Sequence, residues 1–108
     1  MRLLIAASSA LGVHAAAAAQ DLPGDPAAGL AYARAICADC HAVEREWDEM
    51  AAFYGPPFLD IAALPSTTRM SLQVFLRTPH ENMPNLILDR GERDDVIAYI
   101  LSLKPPAE

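Results

Sequence analysis

Residues 36–42 read Ile36-Cys37-Ala38-Asp39-Cys40-His41-Ala42, and the fold follows from how the two cysteines and the histidine are held. Thiols three positions apart lie on one side of a single helical turn, and the next residue projects an imidazole from the same turn. A C-x-x-C redox pair belongs in a βαβ context, and none is present here. A zinc site would need two further ligands at compatible spacing, and His41 directly beside Cys40 is awkwardly placed to share one tetrahedral metal with it. A disulfide between residues three apart closes a tiny loop and stabilises little.

Working outward, the chain is helical on both sides of this stretch. Asp25 followed by Pro26 is an N-cap with proline at the first helical position, and Leu30, Ala31 and Ala35 follow at helical spacing, so a first helix runs into the Cys37 region. Leu72, Phe75 and Leu76 mark a helix that opens near Ser66 to Thr68 and stops before Pro79. Val96, Ile97, Ile100, Leu101 and Leu103 give an amphipathic C-terminal helix, with Asp94 and Asp95 at its expected N-terminus and Pro105-Pro106 ending it. Val43, Trp47, Met50, Ala51 and Tyr54 also fit a helical period, and Phe58 to Ala63 has length for a further turn or two. No segment alternates with period two, and prolines at 56, 57, 65, 79 and 84 cut the middle into short pieces, so the expected class is all-α.

The chain has 108 residues and a formal charge of −6, room for one small domain with one site. Its 53% hydrophobic fraction is inflated by alanine, since 8 of 21 alanines fall in the first 20 residues. Arg2, the 11-residue apolar stretch Leu3 to Val13 and the small-residue run Ala15 to Ala19 form a secretory signal peptide over residues 1–19. A membrane anchor needs roughly 17–25 apolar residues, and this stretch is interrupted by Ser8, Ser9, Gly12 and His14. Cleavage after Ala19 leaves one domain over 20–108 with seven basic and 14 acidic residues, a net charge of −7, and no stable membrane span. The single lysine and the arginines scattered singly form no basic stripe, which argues against nucleic-acid binding. So small a core needs a staple.

Cys37-Ala38-Asp39-Cys40-His41 is the C-x-x-C-H signature of c-type haem attachment. Both thiols add to the haem's two vinyl groups and so leave redox chemistry, which gives the staple and gives His41 the iron. With these residues in place, the chain resembles the class I monohaem cytochromes c over about Asp25 to Lys104. Gly29 and Tyr32 match the glycine and aromatic of that family's N-terminal helix, and Tyr99 the aromatic of its C-terminal helix, two helices that cross closely there. Gly55-Pro56 matches the loop whose carbonyl accepts a hydrogen bond from the proximal imidazole, and Met83-Pro84 the distal ligand. The resemblance implies a cytochrome c fold, with three to five short helices wrapped around one covalently bound haem c.

The distal position decides the chemistry. Met83 is preferred, because it lies 42 residues beyond His41 in a loop flanked by Pro79 and Pro84, and a thioether favours ferrous iron. His80 is the competitor, and bis-histidine ligation would lower the potential. Pro56 is the expected acceptor for the second ring nitrogen of His41, with neighbouring carbonyls, that of Pro57 among them, as alternatives. Trp47, Phe53, Tyr54, Phe58, Leu59, Leu64, Leu72, Phe75 and Leu76 are candidates to wall the ring against water. The leading expectation is a periplasmic one-electron carrier, or the electron-accepting haem subunit of a dehydrogenase, passing electrons to an oxidase or another cytochrome, and itself not an enzyme. The rivals are a five-coordinate haem enzyme or gas-binding protein, and a haem-free binding module. The resemblance departs in two respects. The His41–Met83 stretch is shorter than in mitochondrial-type members, which leaves propionate contacts open, and Lys104 is the only lysine, so a basic or apolar partner surface suits the chain better than an acidic one.

Overall fold

The computed structural model describes residues 22–46, 54–80 and 82–107. They form four helices, α1 (Pro26–Ala35), α2 (Phe58–Ala63), α3 (Arg69–Phe75) and α4 (Arg90–Ser102), with one 3₁₀ turn at Cys37–Asp39 and no strand among the described residues. The all-α class and the expected helix count both hold. The signal peptide lies outside the described residues, as do Trp47, Met50 and Ala51 of the helical period expected from Val43 to Tyr54.

Helix α1 starts where Asp25 accepts a hydrogen bond from the Ala27 N–H at 2.9 Å and Pro26 occupies the position whose N–H would have had no partner. Helix α3 opens on a capping box in which Thr68 and Ser71 satisfy each other's backbone N–H groups, at 3.1 and 2.9 Å.

The start of α4 departs from expectation. It begins at Arg90, about one turn before Asp94 and Asp95, because Asp89 and Glu92 form a capping box of 2.8 and 2.9 Å. Its first turn is polar, so apolar periodicity does not reveal it. The two aspartates serve tertiary contacts instead. Asp95 accepts from the Asp25 N–H at 2.7 Å, tying the start of α1 to α4, and Asp94 accepts from Gln73 of α3 at 2.8 Å.

The helices meet on a small core of Ala33, Val43, Phe58, Ala62, Leu72, Leu88, Val96, Ile97, Tyr99, Ile100 and Leu103. The α1–α4 crossing is its main contact, and Gly29 makes it possible. A Cβ there would run into the Asp95 carbonyl and come within 2.8 Å of Tyr99 Cβ. Lys104 donates to the carbonyls of Ala62 and Leu64 at 3.1 and 3.3 Å, closing the C-terminus of α2 from 40 residues away. No helix among the described residues is long and apolar enough to cross a membrane.

Candidate functional site

The Cys37–Asp39 turn brings the signature residues together. Cys37 carbonyl accepts from the Cys40 N–H at 3.1 Å and the His41 N–H at 2.9 Å, so both thiols and the imidazole leave one tight turn at the end of α1. The thiols are half-buried and not joined to each other. Burial pushes the Cys37 thiol up to about 11, so at neutral pH it is a thiol, the state from which a metal thiolate forms least readily.

His41 is held in one orientation. Its Nδ1 lies 2.6 Å from the Pro56 carbonyl oxygen. A carbonyl oxygen only accepts, so Nδ1 carries the proton and Nε2 presents a lone pair. Gly55 lets the ring lie this close, since a Cβ there would stand 2.8 Å from His41 Cε1 and 3.0 Å from Nδ1. Phe58 packs against the imidazole with ring centroids 5.3 Å apart.

Two long-range bonds fix the segments that carry the ring. The Phe58 N–H donates to the Ala42 carbonyl at 2.9 Å, and Tyr99 Oη of α4 donates to the Val43 carbonyl at 2.5 Å. Burial first, and then the charge of Glu44, raises the Tyr99 phenol above its ordinary value of 10.0 and keeps it a donor.

Met83 is half-buried on the connection between α3 and α4. Its N–H donates to the His80 carbonyl at 3.2 Å, and Asn82 has a φ of 58°, a left-handed conformation that asparagine tolerates better than most residues. After Pro84, the Leu86 N–H returns to the Pro84 carbonyl at 2.8 Å, so the backbone on both sides of Met83 is turned tightly. His80 is engaged locally, with Nδ1 3.1 Å from the Thr78 carbonyl and its ring edge-on to Phe75 at 5.7 Å.

The structure therefore brings Cys37, Cys40, His41 and Pro56 into one cluster, while no hydrogen bond or ring contact among the described residues ties Met83 to it. Of the candidate wall residues, Phe58 and Leu72 are buried and Leu59 and Leu76 half-buried. Tyr54, Leu64 and Phe75 are more than half exposed, and Trp47 and Phe53 lie outside the described residues. The buried stripe of α3 is narrower than its apolar residues imply, with Leu72 and Leu76 turned inward and Phe75 flanking them against His80. Gly55 as the seat of the imidazole, Phe58 as its packing partner and Asn82 as the turn residue before Met83 were not assigned those roles from sequence. An asparagine two residues before a proline was the available signal for the last.

The donor set fits a covalently attached haem. Two thiols one turn apart suit addition to two vinyl groups, and an imidazole with Nδ1 committed has only Nε2 to offer iron. Comparison with known proteins agrees. The chain is 35% identical over 91 residues to cytochrome c-552 of Bradyrhizobium diazoefficiens, an alignment covering 84% of this chain and 86% of the relative. No family model matches the chain, and no solved structure does.

Proposed function

Because this chain belongs to the c-type monohaem cytochromes and is an electron carrier of that family, we propose that it is a periplasmic one-electron carrier whose iron is held between His41 and Met83. Residues 1–19 act as its cleaved export signal. When bound, the haem supplies a reversible one-electron ferric/ferrous couple.

The chain's own residues do the rest. Cys37 and Cys40 hold the group through thioethers and have no free thiol left for exchange in an oxidising compartment. The Pro56 carbonyl retains the Nδ1 proton, which makes Nε2 a better donor and prevents the ring from rotating away. The soft sulfur of Met83 would favour the reduced state of the iron it helps to hold. The placement of Met83 in a loop flanked by Pro79 and Pro84 supports it in that role. Phe58 covers one side of the imidazole and limits the water that would reorganise when charge changes.

The observation that carries this reading is the 2.6 Å contact between His41 Nδ1 and Pro56 O, which commits Nδ1 to the backbone and leaves Nε2 as the ring's donor, beside the two cysteines of the same turn. Redox proteins are the partners, a dehydrogenase delivering electrons and an oxidase or second cytochrome receiving them. With an acidic surface and one lysine already committed to α2, a basic or apolar partner face complements it.

The test is the oxidised absorption spectrum of haem-loaded protein. A weak near-red sulfur-to-iron charge-transfer band is expected, lost in Met83→Ala and kept in His80→Ala. Loss in His80→Ala alone would overturn the ligand assignment. Ready binding of carbon monoxide by the ferrous protein at neutral pH would show an open sixth position and overturn the carrier reading.

A further inference from the structure

Four of the chain's seven arginines, scattered singly along the sequence, come together in space. Arg69, Arg77, Arg90 and Arg93 line one cleft of about 540 Å³ between α3 and α4, and Asp94 is its only acidic lining residue among the described residues. The lining is strongly positive in a chain whose net charge is −6. Like charges gathered in a partly buried site are screened less than on open surface, so the arrangement is costly unless an anion shares it.

The protein supplies one carboxylate, Asp94, against four guanidiniums. Arg93 is only 9% exposed, yet its partners are the uncharged Gln73 Oε1 at 2.8 Å and Leu88 carbonyl at 3.2 Å. Arg69 donates to the Pro23 carbonyl at 2.6 Å and reaches Asp94 at 3.5 Å, while its buried Nε has no hydrogen-bond partner. The same Asp94 oxygen is already taken by Gln73 Nε2 at 2.8 Å. Arg77 and Arg90 are exposed, and their guanidiniums have no ion pair or hydrogen bond among the described residues. Elsewhere the described basic side chains are committed, with Arg34 paired to Glu44, Arg45 on the Ser102 carbonyl and Lys104 on α2.

We propose that this cleft binds a small multivalent oxyanion, carrying two or more carboxylate or phosphate groups. Guanidinium forks match both groups with paired hydrogen bonds. The concave shape and the volume suit a small molecule. None of Cys37, Cys40, His41 or Met83 lines the cleft, so the site is separate from the haem machinery and the inference stands apart from the ligand assignment.

Calorimetric titration of the mature haem-loaded protein with citrate and with pyrophosphate, each at constant ionic strength against sodium chloride, tests it. Saturable one-to-one binding is expected. Citrate alone saturating identifies the carboxylate class, and pyrophosphate alone the phosphate class. Arg77→Gln/Arg90→Gln removes two exposed, unpartnered charges without touching the core, and weakens binding about tenfold or more. Arg34→Gln removes a charge outside the cleft and changes affinity less than about twofold. Absence of saturable binding up to ~5 mM of either anion overturns the proposal. Equal weakening in Arg34→Gln, which would mean diffuse charge attraction, does the same.

Discussion

Replacing Gly29 by alanine should destabilise the protein even though alanine is the better helix former. The substitution improves intrinsic helix propensity by about 0.8–1 kcal/mol. It also places a methyl group against the backbone of α4, 2.8 Å from Tyr99 Cβ and nearer still to the Asp95 carbonyl. Carbon atoms at rest sit about 3.5–4.0 Å apart, so α1 must withdraw by at least ~0.7 Å along a crossing where Ala33, Val96 and Ile97 are already fully packed. The obstacle is backbone and cannot rotate aside, which puts the overpacking cost toward the upper end of ~1–3 kcal/mol. The net loss is about 1–2 kcal/mol, or roughly 5–15 °C in Tm for a domain of this size. Guanidinium unfolding of the haem-loaded protein, followed by far-ultraviolet circular dichroism, measures it. Ala28→Gly, on the exposed face of the same helix, should lose only about 0.5–1 kcal/mol. A Gly29→Ala variant as stable as the parent or more so would refute the close crossing.

Three further outcomes follow from particular bonds. Tyr99→Phe leaves the Val43 carbonyl without its donor and costs about 1–3 kcal/mol by chemical denaturation. Because the folded phenol titrates above its ordinary 10.0, the parent's stability is complete below pH 10 and falls as pH rises through the folded value. Tyr99→Phe should therefore show a shallower alkaline decline, and an identical slope would refute the assigned burial. Lys104→Met removes the donor to the Ala62 and Leu64 carbonyls and should cost about 0.5–1.5 kcal/mol, with Lys104→Arg recovering part of it. Gly55→Val drives a side chain into the His41 ring, costs about 1–3 kcal/mol and reduces the low-spin fraction of the spectrum. An unchanged spectrum would show that the imidazole does not need that seat.

Local chemistry was readable in the sequence wherever one short segment carries its own explanation. Asp25-Pro26 and Thr68 fix the starts of α1 and α3 because a cap acts within three residues. Cys37, Cys40 and His41 are legible because one turn sets their relation, and Gly29 because its match was read together with Tyr99 in order. The start of α4 was misplaced because Asp89 and Glu92 announce it in polar residues, while the apolar period begins only at Val96. Contacts between distant segments left no local trace. Lys104 shows no sign in sequence of capping α2, and the arginines at 69, 77, 90 and 93 look dispersed until α3 and α4 pack side by side. The exposure of Phe75 and Leu64 is of the same kind, since hydrophobicity marks which residues tend to be buried but not which face of a two-turn helix meets its neighbour.

The most direct measurement of the central claim is the intact mass of protein purified after expression with haem-maturation machinery and extracted with acid to strip any loosely held group. The account predicts one haem retained per chain, lost in the Cys37→Ala/Cys40→Ala double variant. A colourless chain whose mass is that of the polypeptide alone would contradict it.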